Sequence, residues 1–295
     1  MAVTIQHHKQ LKIGLALALL ASIMFSLKPI FIKQAYALGA SSEGLMVIRM
    51  WLALPFYLGM LFLQRHNFAL IKKHSLTILA VGFLGYFLSS YLDLLALNFI
   101  SAQAERIILY AYPSLVVLMM AIYEKRLPSI KVLAAMALVY LGLLVLLPGE
   151  LNLSGSYYGL GLMLICAFTF ALYVCLSKPM ISLLGASAFT SAAMVSSVMF
   201  TQLHFIKLDM QEIIDYSSSI YLLALGLAFF STVIPSYAMS AAISRIGAEK
   251  TAITGSTGPV FTLILAAVIL GESITLFHLG GLGLVVLGVW LLGKK

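Results

Sequence analysis

The chain has 295 residues, of which 62% are apolar or aromatic and only 9% are charged. Soluble domains carry about 25% charged residues, so the composition excludes an ordinary water-soluble protein. It also excludes a disordered chain, which would have few apolar and many charged residues. The composition therefore indicates a polytopic membrane protein. Its net charge of +8 then raises the question of which side of the membrane the basic residues occupy.

Ten segments are long and apolar enough to cross a membrane as helices, since a span needs about 20 apolar residues. They are predicted at residues 12–35, 43–64, 75–97, 102–122, 129–147, 157–178, 186–206, 217–240, 247–271 and 274–293. Pro128 is predicted to open the fifth span, because proline suits a first helical turn. The first apolar stretch exceeds a signal-peptide core, so we predict that it is retained as a span.

The basic residues segregate if the N-terminus is cytoplasmic. Thirteen of the 18 then lie inside: Lys9, Lys12, Arg65, Lys72, Lys73, Lys125, Arg126, Lys131, Lys178, Arg245, Lys250, Lys294 and Lys295. The outer loops hold only Lys207. The positive-inside rule therefore predicts that both termini are cytoplasmic, and it accounts for most of the basic charge without a nucleic-acid partner.

The two halves of the chain resemble each other at a constant shift of 145–146 residues. Lys33 matches Lys178, and the proline within the fourth span, Pro113, matches Pro259. Because each half has five spans, an odd number, the second half enters the membrane upside down. We predict an all-α membrane protein with ten transmembrane helices in two inverted repeats, N-in and C-in, with a substrate site near the midplane. The repeats are predicted at residues 1–148 and 149–295.

Six ionisable residues lie within the outer half of the first repeat: Lys28, Lys33, Arg49, Asp93, Glu105 and Arg106. Inserting each of these side chains into the hydrocarbon core costs about 2.5–3.5 kcal/mol, so we expect each to have a functional or structural role. One hypothesis is a net-positive vestibule in which Arg49 or Arg106 binds a substrate carboxylate. Glu105 would then hold Arg106 or an amino group, or carry a coupling proton. The alternative is that Glu105 or Asp93 pairs with Arg49 or Arg106 only to fix helix packing.

Further candidates come from the predicted lining at the midplane. The predicted substrate-binding or translocation residues are Lys28, Arg49, Tyr86, Tyr91, Glu105, Arg106, Tyr110, Tyr112, Tyr237, Ser256 and Thr257. Pro29, Pro113 and Pro259 are predicted hinges, because a proline within a span frees a backbone carbonyl and bends the helix. Lys28 either faces the cavity beside that carbonyl or reaches outward from a packing kink, and the tyrosines are either lining or packing residues.

The segment Ile100–Pro113, its echo Ile246–Pro259, Gly271-Glu272 and Glu124–Pro128 resemble the EamA branch of the drug/metabolite transporter superfamily. The resemblance covers essentially the whole chain, although Phe25-Ser26 replaces the Trp-Gly found in many members. It implies a carrier in the inner (plasma) membrane that exports amino acids or other small metabolites. We expect the carrier to be a monomer or a homodimer.

We therefore predict a secondary active transporter that exports or exchanges small polar metabolites by alternating access, coupled to a proton or a counter-substrate. Efflux of lipophilic cations or drugs is an alternative that the net-basic vestibule disfavours, and a flippase for lipid-linked intermediates is another. An intramembrane enzyme is a remote alternative, because the sequence has no His-Glu-x-x-His helix, Walker loop or Cys/His cluster. No metal and no cofactor is predicted.

Overall fold

The computed structural model describes residues 2–123, 125, 129–150, 155–206, 208 and 210–293, with backbone alone for 2–9, 147, 149, 150, 256, 292 and 293. Some expectations fall outside these ranges: the opening of the fifth span at Pro128, the motif residues Glu124 and Arg126 to Pro128, and the sidedness of Lys207, Lys294 and Lys295.

The first half consists of five long helices. They are α1 (Ala2–Ser26 and Lys28–Ala37), α2 (Ser42–Leu63), α3 (Ser75–Ala96), α4 (Ala102–Leu109 and Tyr112–Tyr123) and α5 (Ile130–Glu150). Hydroxyl side chains begin α2 and α4: Ser41 Oγ accepts from the Gly44 amide and Ser101 Oγ accepts from the Ala104 amide, each at 3.0 Å. These caps satisfy amides that a helix start leaves without intrahelical partners.

The described part of the second half also contributes five long helices. They are α6 (Ser156–Leu184), α7 (Ala186–His204), α8 (218–246), α9 (248–270) and α10 (Leu276–Gly293). Gly247 separates α8 from α9, because its φ of 81° and ψ of 166° are not helical. α6 runs six residues beyond its predicted end at 178, since Lys178 and Pro179 are exposed residues within the helix rather than its boundary.

Among the described residues, six helical stretches are long and apolar enough to cross a membrane, and three more are shorter apolar helices. The remaining long helix in the described residues, α7, is 19 residues long and more polar. Five of its six hydroxyl side chains are buried inside the protein: Thr190, Ser191, Ser196, Ser197 and Thr201. The described residues form helices without strands, so the protein is an all-α polytopic membrane protein.

The two halves deviate from regular α-helix at matching positions. A wide π-helical turn at Phe83–Leu88 in α3 recurs at Phe229–Val233 in α8, and their first residues are 146 positions apart. The break after Leu109 in α4 recurs at the 3₁₀ turn Gly255–Thr257 in α9. Turns of this kind often mark functional positions within helices.

Helices from the two halves pack against each other in pairs: α1 with α8, α2 with α7, α3 with α6, and α5 with α10. Glycines bring α5 and α10 into backbone contact, because a Cβ on Gly142 would lie 2.7 Å from the Gly281 carbonyl oxygen. A Cβ on Gly288 would lie 2.6 Å from the Ala135 carbonyl oxygen. Such small-residue seams are typical of close helix packing in membranes.

Candidate functional site

A cavity of about 80 Å³ lies between the halves. Helices α1, α2, α3, α4, α6, α7, α8 and α9 all contribute to its wall. Drug-sized ligands occupy pockets of about 300–1,000 Å³, so this conformation encloses space for a compact molecule only.

A proline positions the first charged group of the site. Pro29 has no amide hydrogen, so the carbonyl of Phe25, four residues earlier, has no partner within α1. Arg106 Nη2 donates a hydrogen bond to that carbonyl oxygen from α4. Arg106 is thus the partner of the carbonyl that Pro29 leaves free. The helix turns at Leu27, next to Lys28.

Two ion pairs hold most of the buried charge. Lys28 Nζ lies 2.6 Å from Asp93 Oδ2, and Arg106 Nε lies 3.5 Å from Glu105 Oε2. Lys28 therefore turns towards the cavity, of which it forms part of the wall together with Asp93 and Arg106. The Lys28–Asp93 pair joins α1 to α3. The Arg106–Glu105 pair lies within the first two turns of α4.

The two acidic side chains also meet each other. Asp93 and Glu105 lie within hydrogen-bonding reach, and they are 1% and 0% exposed. Asp93 Oδ1 and both carboxyl oxygens of Glu105 receive no hydrogen bond from the described residues. Ionised carboxylates only accept hydrogen bonds, so this contact is favourable when one proton lies between the two groups.

Arg49 differs from the other buried bases. Its side chain is 1% exposed and lines the cavity, yet it forms no ion pair within the described part of the chain. Nη2 donates to Met46 Sδ at 2.8 Å, and Nε has no partner among those residues. A thioether is a weak acceptor, so Arg49 retains donors for an anion.

The opposite wall is neutral. At the repeat shift of 145–146 residues, Arg49, Tyr86, Asp93 and Glu105 correspond to Met194, Thr232, Met239 and Thr251, and all four counterparts line the same cavity. The cavity therefore has a charged side built by the first half and a thioether and hydroxyl side built by the second.

Tyrosines and serines complete the wall. Tyr86, Tyr110 and Tyr112, which are three of the predicted site residues, line the cavity. Ser22 Oγ lies 3.0 Å from the Tyr110 hydroxyl and donates to the Gly255 carbonyl oxygen at 2.6 Å, which joins α1, α4 and α9.

The sequence reasoning missed several lining residues: Ser22, Phe25, Ser89, Cys166, Phe170 and Ser231. The four-residue spacing of Ser22 and Ser26 was an overlooked signal, because such residues share one helix face. Ser26 Oγ donates to the Gly258 carbonyl oxygen at 2.9 Å, so this face of α1 packs against α9.

Four predicted site residues do not line the cavity: Tyr91, Glu105, Tyr237 and Thr257. Glu105 is buried beside Arg106. Tyr91 packs against Phe87, His204 and Phe205. Tyr237 forms a hydrogen bond with Ser191 at 2.7 Å. Thr257 is exposed, Pro113 and Pro259 are buried at their helix breaks, and the side chain of Ser256 lies outside the described residues.

The loop between α9 and α10 caps α4. Glu272 Oε1 accepts from the Ala102 amide at 2.9 Å, and Oε2 accepts from the Gln103 amide at 3.3 Å. A carboxylate is favourable there because a helix start carries partial positive charge. Glu272 thereby ties the helix that bears Glu105 and Arg106 to the second half.

The family model for "EamA-like transporter family" matches residues 12–147 and 157–294. The chain belongs to this family. A curated relative, the "Uncharacterized transporter YcbK" of Bacillus subtilis (strain 168), is 29% identical over 282 residues, which cover 92% of this chain and 89% of the relative. The chain is thus a multi-pass membrane transporter of the drug/metabolite transporter superfamily and not an enzyme.

A solved structure titled "Crystal structure of protein" shares the fold of this EamA protein. The TM-score is 0.65 at 16% sequence identity, and the superposition covers 96% of this chain and 95% of the other. The common fold therefore extends over essentially the whole transporter.

Proposed function

We propose that this transporter exports or exchanges small polar metabolites that carry a carboxylate, amino acids above all, by alternating access. The observation that carries the proposal is Arg49, a buried guanidinium in the cavity wall without a carboxylate partner among the described residues. Its planar fork matches a carboxylate through two parallel hydrogen bonds.

The charge balance supports an anionic group on the substrate. Three bases, Lys28, Arg49 and Arg106, and one acid, Asp93, line the cavity. A second acid, Glu105, is buried beside Arg106. Removing a charge from water is costly unless a partner replaces the water. A substrate carboxylate at Arg49 would supply that partner, whereas a lipophilic cation would add to the excess positive charge.

Repeat symmetry supports alternating access around this site. We propose that residues 1–148 and 149–295 are inverted repeats, and the matched breaks in α3 and α8 and in α4 and α9 are consistent with that relation. Inverted repeats allow one half to rock against the other around a fixed central site. The proposed outward direction rests on the family resemblance.

We propose that both termini are cytoplasmic and that the protein lies in the plasma membrane, because the basic residues gather on one side. A membrane-impermeant maleimide tests this orientation in intact cells. In a background without Cys166 and Cys175, a Ser219→Cys variant should react from outside and a Lys72→Cys variant should react only after lysis. The reverse pattern would contradict the proposed sidedness.

Exchange in proteoliposomes tests the substrate class. The purified transporter should take up radiolabelled alanine, serine or threonine against the same unlabelled amino acid inside. Arg49→Ala should slow this exchange at least about tenfold, the loss expected for one charge-assisted contact of 1.5–3 kcal/mol. The matched control is Arg245→Ala, since Arg245 is exposed and its hydrogen bond within the described ranges goes to the backbone oxygen of Ala241.

Two results would overturn the proposal. One is exchange by Arg49→Ala at the rate of the wild type. The other is a wild-type protein that moves tetraphenylphosphonium but none of a panel of carboxylate metabolites, which would favour efflux of lipophilic cations.

A further inference from the structure

We infer that the Asp93–Glu105 pair holds one exchangeable proton, and that the amino group of the substrate expels it, so that the transporter exchanges one zwitterion for one proton. The inference rests on the proposed function, because it takes an amino acid as the molecule bound at Arg49. It adds the second charged group of the substrate and the ion that drives transport.

The geometry of the acid pair is the first support. Asp93 on α3 and Glu105 on α4 face each other within hydrogen-bonding reach, and both are fully buried. None of their four carboxyl oxygens receives a hydrogen bond from the described residues. Ion pairs reach only Asp93 Oδ2 and Glu105 Oε2 among those residues. A single proton between the carboxyl groups turns a repulsive contact into a hydrogen bond.

Bases and weak acids act on the pair from four helices. The charged or titratable groups that act on it are Lys28 and Tyr36 of α1, Arg49 of α2, Arg106 and Tyr110 of α4, and Cys166 of α6. Lys28 binds Asp93 directly, and Arg106 binds Glu105. The three cations permit the pair to lose its proton when further positive charge enters the cavity.

The substrate supplies that positive charge. Arg49 and Asp93 both line the cavity, and Asp93 is the carboxyl group that acts on the Arg49 guanidinium. An amino acid whose carboxylate binds Arg49 can therefore place its ammonium group at Asp93 Oδ1, which has no donor among the described residues. The ammonium enters with one positive charge, and the proton held with Glu105 leaves as hydronium.

The step balances because only an O–H bond of the acid pair breaks and a water molecule takes the proton. When the amino acid leaves on the other side, the pair regains a proton from that side. One zwitterion therefore moves out for each proton that moves in, and each cycle carries one positive charge inward. Linkage makes the effect reciprocal, so a low pH on one side weakens amino-acid binding there.

The second half provides no equivalent pair. The counterparts of Asp93 and Glu105 are Met239 and Thr251, and neither side chain ionises in the relevant range. The repeat-related position thus lacks a second proton site of this type, which predicts one proton per amino acid.

Proteoliposomes that contain the full-length transporter and a trapped pH-sensitive dye provide the test. The vesicles are loaded with radiolabelled alanine, and parallel preparations use serine and threonine. For the wild type, an acidic outside should accelerate efflux, by up to about tenfold per pH unit for one coupled proton. The dye should report one proton entering per amino acid, and an inside-negative potential should speed efflux further.

Glu105→Gln is the central variant and Glu249→Gln its matched control, because Glu249 is exposed at the start of α9. In Glu105→Gln, efflux should lose its dependence on the pH gradient and proton entry should disappear, while exchange of labelled for unlabelled amino acid continues. Glu249→Gln should keep both. Loss of exchange together with proton entry in Glu105→Gln would contradict a role specific to the proton.

The outcomes separate the two proposals. Amino-acid exchange by the wild type without proton entry overturns this inference and leaves the proposed function intact. Absence of exchange for every amino acid overturns the proposed function. Infrared difference spectroscopy of the purified protein needs no substrate: the band of a protonated carboxyl should be present in the wild type and absent in Glu105→Gln, and its persistence in that variant overturns the inference.

Discussion

Helices α1 and α6 hold equivalent places in the two repeats, yet α1 is broken at Leu27 and α6 runs unbroken from Ser156 to Leu184. Pro29 of α1 corresponds to Val174 of α6. Arg106, which binds the carbonyl that Pro29 frees, corresponds to Ala252. The backbone difference and the charge difference between the two halves are therefore linked. A buried guanidinium needs hydrogen-bond acceptors, and Pro29 leaves the Phe25 carbonyl oxygen free to serve as one.

The same contrast separates the two walls of the cavity. The charged residues of the first half face methionine and hydroxyl side chains at the equivalent positions of the second. The repeat therefore supplies a shared frame, while recognition of charge is concentrated in one half. Variants that copy residues from one half into the other test this division directly.

The largest effect should come from copying Tyr173 into its equivalent position as Lys28→Tyr. This change leaves Asp93 buried without its counter-ion, and breaking a buried pair costs about 3–5 kcal/mol. Thermal unfolding in detergent should show a strong loss of stability, and exchange should be lost.

The double variant Lys28→Tyr with Asp93→Met sharpens this result, because it copies the neutral pair Tyr173 and Met239. Stability should return towards that of the wild type, while amino-acid exchange stays absent. A double variant that transports normally would show that these charges serve packing alone.

The next effect concerns the kink in α1. Pro29→Val, which copies Val174, restores an amide that competes with Arg106 for the Phe25 carbonyl. We expect exchange to slow about tenfold, in line with a lost charge-assisted hydrogen bond of 1.5–3 kcal/mol. Pro179→Val should leave the rate unchanged, since Pro179 is exposed on α6, and an equal loss in both variants would argue against the assigned kink.

A smaller effect is expected at the link between the halves. Glu272→Ala removes the carboxylate that caps α4, and loss of a helix cap costs about 1 kcal/mol. The unfolding temperature should fall by a few degrees, with Asp215→Asn as a surface control. An unchanged unfolding temperature would mean that water or another group replaces the cap without loss.

The smallest effect should follow Tyr173→Phe. The hydroxyl groups of Tyr86 and Tyr173 lie 2.6 Å apart, and hydrogen bonds between membrane helices average about 0.6 kcal/mol. Exchange should slow no more than about threefold by the same estimate. A loss as large as that of Lys28→Tyr would place essential chemistry in the second half.

Hydropathy and the repeat shift predicted much of this architecture, because membrane helices must be long and apolar and a duplicated fold keeps its spacing. The sequence also showed that the predicted spans of the first half contain ionisable residues. The pairing of those charges was not, since it depends on how far each helix is rotated. Asp93 pairs with Lys28, a partner that neither sequence hypothesis considered.

Helix rotation also explains why Tyr91 and Tyr237, two predicted site residues, do not line the cavity. Each follows a π-helical turn, at Phe83–Leu88 and Phe229–Val233 respectively. One residue rotates a helix by about 100°, so the extra residue of a π turn changes the face on which later side chains lie. Sequence periodicity gives no sign of such turns. The Glu272 cap was equally hidden, because it joins segments 170 residues apart.

The ion pair between Lys28 and Asp93 has a consequence for biogenesis. A chain made from its N-terminus delivers α1 to the membrane before α3, so Lys28 is in place when Asp93 enters. Arg106 arrives later still and finds the Phe25 carbonyl already exposed by the turn in α1. Asp93 and Arg106 thus each meet a partner from an earlier helix, and the order of synthesis lowers the barrier to inserting these two side chains.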